Sequence, residues 1–324
     1  MQTCTLQGSS LTLSRIGYGC MGMAGSWDAT PLGDGDVARA ANAVATAVDL
    51  GITLFDHADI YCRGKSEEVF GRLLADQPGL RDRVVLQSKC GIRFADDPAP
   101  GVPARYDFSR DHIVASVEAS LRRLRTSHLD ILLLHRPDPL WEPDEVAHAF
   151  DSLHASGKVR HFGVSNHTAA QIAALQSTID QPIVANQVQL SLWHAALITD
   201  GIVFNRNAPA IAGVTGTLDY CREHHILVQA YSVMGKGTRL VPGGDADAAD
   251  RATADLITRL AHRHVVSREA IVVAWILRHP AGIQPVLGTR TPERLRACCE
   301  ADGVSLSREE WYALLTAAQG EPLP

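Results

Sequence analysis

Apolar positions along the 324 residues fall into short, β-branched runs separated by longer stretches where they recur at helical spacing. The runs lie at 16–22 (IGYGCMG), 52–57 (ITLFDH), 84–89 (VVLQSK), 129–135 (LDILLLH), 161–165 (HFGVS), 183–189 (IVANQVQ), 226–231 (ILVQAY) and 283–288 (IQPVLG), which predicts eight strands. Near-continuous runs such as ILLL suit parallel strands buried on both faces. Between them, 36–50 and 110–124 predict amphipathic helices, the second with Ile113, Val117, Leu121 and Leu124 on one face. Asp34, Ser66, Ser109 and Thr168 stand where helix N-caps are expected. Eight strand–helix alternations predict an α/β protein with a closed, parallel, eight-stranded (β/α)8 TIM barrel rather than an open sheet.

Loop lengths point the same way. Helix-to-strand connections are short: Leu50–Gly51, Gln77–Arg83, Thr126–His128, Ser156–Arg160 and His224–His225. Three strand-to-helix connections are long and rich in Gly, Pro and Asp, at roughly 91–108, 192–210 and 233–249. Long loops that all follow strand C-termini are what a barrel uses to build a site on its C-terminal face. No Pro/Ser-rich linker or internal repeat divides the chain, so 1–324 is expected to form one barrel domain. Residues 3–15 read as a hairpin capping the opposite end, and 292–318 as two helical stretches interrupted near Gly303.

Composition narrows the function classes. Hydrophobic residues make up 46% and charged residues 20% of the chain, enough apolar material for a large core. A net charge of −6 without a dense Lys/Arg tract argues against a nucleic-acid partner or an anionic membrane surface. The start, MQTCTLQGSSLTLSR, has no basic segment leading into an apolar run, and no apolar stretch approaches the ~18 residues that span a bilayer. Seven cysteines at irregular spacings, with no CxxC pair, read as reduced thiols in a cytoplasmic protein. The 14 histidines include no HExxH or other close ligand set, so no metal is expected.

One motif has the wrong context. GYGCMG (17–22) fits the dinucleotide fingerprint GxGxxG, which requires a helix to open at once so that its N-terminus meets the pyrophosphate. AGSWDATPLGDG follows instead and cannot begin a helix, so the glycines are expected to serve close backbone approach.

Four residues at or just beyond successive strand ends make a chemical set: Asp56, Tyr61, Lys89 and His135. Taken singly, each has an ordinary reading: a helix-cap Asp, a half-buried Tyr, a Lys reaching solvent, a satisfied core His. Taken together they suit carbonyl reduction. Hydride addition leaves an alkoxide that needs a proton, and a phenol with its usual pKa of ~10 gives one reluctantly. A neighbouring ammonium favours the phenolate, an Asp holds that Lys charged, and a His beside the phenol can polarise the carbonyl.

FDHADIY (55–61), QSK (87–89) and LLLH (132–135) resemble the segments that carry the Asp-Tyr-Lys-His tetrad of the aldo-keto reductases. The resemblance is ordered and spans about 15–300. It implies that Ser165 and Asn166 of GVSN, with Gln187 of NQVQ, hold a nicotinamide carboxamide, and that Tyr231 of AYS stacks on the nicotinamide ring. VMGKG (233–237) offers Gly235 and Gly237 for close backbone approach to the pyrophosphate, and Ser232 beside them is a further cofactor-binding candidate. GTRTPERL (288–295) resembles the final pyrophosphate and adenosine segment, so Gly288, Thr289, Arg290 and Arg294 would hold that part of NADPH. The segment NQVQLSLWHAALITDG (186–201) is similar to bacterial oxidoreductases of the YdhF group within that family.

The chain departs from the family pattern twice. Ala297 and Cys298 occupy positions where the family commonly has Glu-Asn against the adenine, and YSV (231–233) replaces YSP. Trp27, Phe94, Trp141 and Trp193 follow strands and are candidates for an apolar substrate pocket, with Trp27, Phe94 and Trp193 the stronger ones; Met21 and Met23 are weaker ones. Asp59, Cys62 and Arg63 read as loop structure around Tyr61. The resemblance thus implies an NADPH-dependent reductase of an aldehyde or ketone with Tyr61 as general acid. A second reading is a nicotinamide-binding regulatory subunit of a channel-like partner, and a third is an unrelated (β/α)8 enzyme such as a metal-dependent hydrolase.

Overall fold

The computed structural model describes residues 1–7, 9, 11–205, 216–235, 237–244 and 246–323. Its strands are β1 (Thr3–Thr5), β2 (Thr12–Ser14), β3 (Gly17–Gly19), β4 (Leu54–Asp56), β5 (Val85–Cys90), β6 (Ile92–Arg93), β7 (Arg105–Tyr106), β8 (Leu129–Leu134), β9 (Val159–Ser165), β10 (Ile183–Gln189), β11 (Leu227–Tyr231) and β12 (Gln284–Leu287). Its helices are α1 (Asp34–Asp49), α2 (Lys65–Asp76), α3 (Arg110–Leu124), α4 (Pro143–Ala155), α5 (Ala169–Gln176), α6 (Ala196–Thr199), α7 (Thr217–Glu223), α8 (Ala248–His264), α9 (Arg268–Leu277), α10 (Pro292–Cys299) and α11 (Arg308–Gln319).

Each of the eight sequence runs overlaps one barrel strand, with β5 running one residue past its run and β9 beginning two residues before its own. They close in the order β3-β4-β5-β8-β9-β10-β11-β12, with β12 pairing back onto β3 through Val286 with Gly17 and Leu287 with Tyr18. Every barrel pairing is parallel. Strand periodicity divides the residues between two environments. Val85, Gln87 and Lys89 alternate with Leu86, Ser88 and Cys90 along β5, and all six are buried. A parallel strand lined inside by the barrel and outside by helices has no solvent face, which explains the unbroken apolar reading of ILLL.

The predicted hairpin is present: β1 pairs antiparallel with β2, from Thr3 opposite Ser14 to Thr5 opposite Thr12. Its Leu6 and Leu13 pack with Leu54, Val85, Ile131 and Leu133, closing the N-terminal end of the barrel with apolar side chains. Above that plug lies a polar layer that the sequence did not announce. Gln229 exchanges amide hydrogen bonds with Gln87 (2.9 and 3.0 Å) and donates to Gln284 (3.0 Å), which in turn donates to the Ser14 carbonyl at 2.7 Å. Gln187 donates to Gln229 at 3.2 Å. All four amides are buried, and mutual pairing removes the cost of taking them out of water.

Two of the four expected caps hold: the Ser109 and Thr168 hydroxyls accept from His112 and Gln171 backbone N–H groups. Asp34 and Ser66 lie just inside their helices, and the capping positions belong to Gly33 and Gly64. Gly64 has φ 85°, because the chain arrives there through a left-handed turn that the residue spacing did not reveal. The glycines of GYGCMG permit close approach, though to side chains of the flanking strands: a Cβ on Gly17 would stand 3.0 Å from Leu54 Cδ2, and one on Gly19 3.2 Å from Val286 Cγ1. No helix follows that motif until Asp34. The first long loop folds into the β6–β7 hairpin, and residues 206–210 of the second lie outside the described residues. After β12 come α10 and α11, separated by a 3-10 turn ending at Gly303.

Candidate active site

β4, β5 and β8 end side by side, which brings three of the four candidate residues together from separate parts of the sequence. Asp56 is the last residue of β4, Lys89 is one residue from the end of β5, and His135 follows β8. Tyr61 arrives by the loop after β4. The Asp59 N–H donates to the Lys89 carbonyl at 3.0 Å, and the Tyr61 N–H to the Ala58 carbonyl at 3.0 Å.

Lys89 is 1% exposed, and its ammonium makes three bonds: to Asp56 Oδ2 at 2.8 Å, the His57 carbonyl at 2.8 Å and the Tyr61 hydroxyl at 2.9 Å. An ammonium has three hydrogens, so all are used. The other Asp56 oxygen accepts from Gln87 at 2.6 Å, which ties the charge pair to the glutamine layer. Burial works against the Lys89 charge, but Asp56 and Tyr61 outweigh it and its pKa is raised. Burial raises the Tyr61 pKa, while the Lys89 charge pulls against that rise. His135 stands 6.0 Å from the Tyr61 ring, centre to centre, and its pKa falls well below the usual histidine value through burial and then the Lys89 and Arg136 charges. Its imidazole is therefore neutral at ordinary pH.

The four residues border a cavity of about 670 Å³: Asp56, Tyr61 and His135 line it, and Lys89 stands behind Tyr61. The same cavity is lined by Ser165, Asn166, Gln187, Tyr231, Ser232, Gly235, Gly237, Gly288, Thr289, Arg290 and Arg294, so every residue singled out for a nucleotide faces one space. Asn166 is locked from both ends: Tyr231 donates its hydroxyl to Asn166 Oδ1 at 2.8 Å, and Asn166 Nδ2 donates to Ser165 Oγ at 2.8 Å. Ser165 then donates to the Gln187 carbonyl at 2.8 Å. Asn166 and Ser232, each just past a strand end, have φ of 63° and 57°, a conformation that costs about 1–3 kcal/mol where the surroundings impose it. Where the family proline is absent, Val233 is buried and also lines the cavity.

Of the aromatic candidates, Trp27 lines the cavity, its ring 6.5 Å from that of Tyr61 in edge contact. Phe94 does not; it packs under the Arg63 guanidinium, 4.8 Å from the ring centre. Trp193 does not line the cavity either; it packs against Gly235, where a Cβ on that glycine would come within 3.4 Å of its ring. Trp141 lines a separate small recess with Phe108 and His167, and Met23 is core. Met21, Met234, Ile60, Ile92, Arg136 and Cys298 also line the cavity.

The turn after Tyr61 fastens the Trp27 loop. Cys62 and Arg63 are left-handed, with φ of 49° and 58°. In that shape Cys62 Sγ donates to the Met21 carbonyl at 3.2 Å, Arg63 Nε to the Trp27 carbonyl at 3.0 Å, and Lys65 Nζ to Ser26 Oγ and the Asp28 and Thr30 carbonyls at 3.1, 3.0 and 2.8 Å. Among the described residues no group of three or more His, Cys, Asp or Glu could hold a metal ion, and no helix is long and apolar enough to cross a membrane. All seven cysteines are free thiols.

A model of the aldo/keto reductase family matches residues 15–318. The chain belongs to that family. As an aldo/keto reductase it is an NAD(P)H-dependent carbonyl reductase. It is 41% identical to the oxidoreductase YdhF of Escherichia coli over 277 residues, covering 86% of each chain, and 38% identical to the uncharacterized oxidoreductase YcsN of Bacillus subtilis, covering 86% of this chain and 87% of the other. A 6-dehydroglucose reductase of Agrobacterium fabrum is 36% identical over 96% of each chain. Among solved structures, the aldo/keto reductase superposes on a glycerol dehydrogenase of Gluconobacter oxydans with a TM-score of 0.81 at 25% identity, over 99% of this chain and 97% of that one. An aldo/keto reductase of Klebsiella pneumoniae in complex with NADP and acetate gives 0.72 at 28% identity, over 98% and 95%.

Proposed function

We propose that this aldo/keto reductase, one barrel domain over 1–324 acting in the cytoplasm, uses NADPH to reduce an aldehyde or ketone, with Tyr61 as general acid. The observation that carries the reading is the Lys89 ammonium bonded to Asp56, His57 and Tyr61 at once beside a large cavity. The cavity suits a dinucleotide. Its lining includes a tyrosine ring, amides, three arginines and glycines at 237 and 288, where a Cβ would meet nothing within 4 Å.

Bound in this cavity, a nicotinamide would supply a hydride to the carbonyl carbon. Tyr61 gives the proton that the carbonyl oxygen then needs. Because the Tyr61 oxygen accepts from Lys89, its own hydrogen is left for another acceptor. Burial keeps the phenol protonated at working pH, and the ammonium at 2.9 Å stabilises the phenolate that proton transfer creates. Neutral His135 donates a hydrogen bond to the carbonyl oxygen without competing as an acid. Asp56 acts through Lys89, holding it charged and in place.

Ser165, Asn166 and Gln187 would orient the carboxamide, and Tyr231 would offer its ring to the nicotinamide. Gly235 and Gly237 would approach the pyrophosphate with Ser232 beside them, while Gly288, Thr289, Arg290 and Arg294 would hold the adenosine half. Guanidinium forks match phosphate oxygens, which favours NADPH over NADH. Trp27 roofs the carbonyl; Phe94 and Trp193 do not line that cavity. Loss of NADPH absorbance with a panel of aldehydes and ketones tests the reading. Tight nicotinamide binding with no carbonyl turnover would overturn it.

A further inference from the structure

Arg136 follows His135 and lines two spaces at once. One is the main cavity; the other is a neighbouring recess of about 210 Å³ bordered also by Asn166, Tyr231, Gln189 and His194. The side chain is half-buried, yet its guanidinium has no hydrogen-bond or ion-pair partner among the described residues. Every other charge lining the main cavity is accounted for. Asp56 is neutralised by Lys89, and Arg290 and Arg294 lie at the end read here as the nucleotide's. No acidic described residue lines the recess. A cation drawn partly out of water without a counter-ion is costly, and an anionic oxygen supplies what is missing. Its position is also informative. Arg136 is adjacent in sequence to the imidazole beside Tyr61, and its charge contributes to the depressed pKa of that imidazole.

Resting on the reductase reading above, we propose that the substrate is a carbonyl compound bearing an anionic oxygen group a few bonds from the carbonyl, and that this group pairs with Arg136 at the boundary of the two cavities. A carboxylate and a phosphate share the chemistry; a neutral polyhydroxy carbonyl does not.

Matched pairs of substrates test the idea by steady-state kcat/KM with NADPH: succinic semialdehyde against butanal, and glyceraldehyde 3-phosphate against glyceraldehyde. The wild-type enzyme is expected to favour the charged member of at least one pair by about ten- to a hundredfold, since a hydrogen bond to a charged group is worth that much. Preference in the first pair assigns a carboxylate, and in the second a phosphate. Arg136→Gln should bring the favoured ratio near one, chiefly through KM of the charged substrate, and Arg136→Lys should restore part of it. Melting curves establish that both variants are folded. Equal wild-type rates for charged and neutral members, or an unchanged ratio in Arg136→Gln, overturn the inference and leave the reductase reading standing. Absence of turnover with every carbonyl overturns both.

Discussion

Lys89 donates a hydrogen bond to the Tyr61 hydroxyl at 2.9 Å, and the same ammonium lies 4.7 Å from the centre of the Tyr61 ring. The lysine therefore reaches the oxygen directly while also lying within cation–π range of the ring. In Tyr61→Phe the ring remains and the proton donor is lost. Turnover should fall by about 10²–10⁴-fold, the usual worth of general acid catalysis, while nicotinamide binding followed by protein fluorescence stays near wild type. A variant keeping a tenth or more of kcat would assign the proton to another group.

Asp56 and Lys89 should behave as one unit. Lys89→Met strands a buried carboxylate, and breaking a buried pair costs about 3–5 kcal/mol, so chemical denaturation should show a loss of that order. Removing the cation also takes away the charge that pulls the phenol pKa down, so the basic limb of any residual activity should move to higher pH. Joining Asp56→Asn to Lys89→Met should recover stability and lose far less activity than the two single effects combined. Additive losses would separate their roles.

Acid should weaken the fold through its buried histidines. His57 is fully buried, with neither ring nitrogen hydrogen-bonded among the described residues, and lies edge-on to Phe70 at 4.8 Å. Burial, and then the Lys89 charge, lower its pKa to about 3, and burial lowers that of His167 to about 4. A depressed folded pKa means stability that is complete above the unfolded value of about 6.5 and is lost as pH falls from there towards the folded value. In His57→Leu the slope of unfolding free energy between pH 6 and pH 4.5 should be shallower by up to one proton, about 1.4 kcal/mol per pH unit. An unchanged slope would mean that His57 takes up its proton equally in the folded and unfolded states.

Coenzyme preference should depend on Arg294. Its side chain lines the cavity and is half exposed, with only a loose contact of 3.9 Å to Glu269, which leaves its donors free for a phosphate. Arg294→Ala should raise KM for NADPH by about ten- to a hundredfold and leave NADH kinetics nearly unchanged. Equal loss toward both coenzymes would place Arg294 away from the 2′-phosphate.

Lys65 should matter to the carbonyl more than to the coenzyme. It holds three acceptors of the 26–30 segment, and the Trp27 that roofs Tyr61 belongs to that segment. Lys65→Met should raise KM for the carbonyl by about tenfold, with the nicotinamide Kd almost unmoved. A variant with unaltered KM would show that the loop holds its shape without this clamp.

Some of this was readable from residue order. Parallel strands buried on both faces must be apolar almost throughout, so eight short runs with helical spacing between them leave few folds open. The tetrad segments were legible because Asp56, Lys89 and His135 fall at strand ends, where a barrel gathers its chemistry. The caps at Gly33 and Gly64 were harder to foresee, because a glycine cap carries no side-chain signal and depends on the turn that precedes it.

What only the tertiary structure decided is which side chains meet. Phe94, Trp193 and Trp27 have the same sequence credentials, and loop conformation alone gives Trp27 the cavity. Glutamines 87, 187, 229 and 284 look like polar intrusions in apolar runs until closure of the barrel turns each into its neighbour's partner. The phenol follows the same logic: the residue order implied a lowered pKa from its lysine, but burial, which no spacing expresses, outweighs that pull and raises it. Strand and helix periods are local and survive in one dimension. Desolvation, hydrogen-bond satisfaction and the absence of a partner for Arg136 among the described residues are properties of surroundings assembled from distant segments, and they exist only once the barrel has closed.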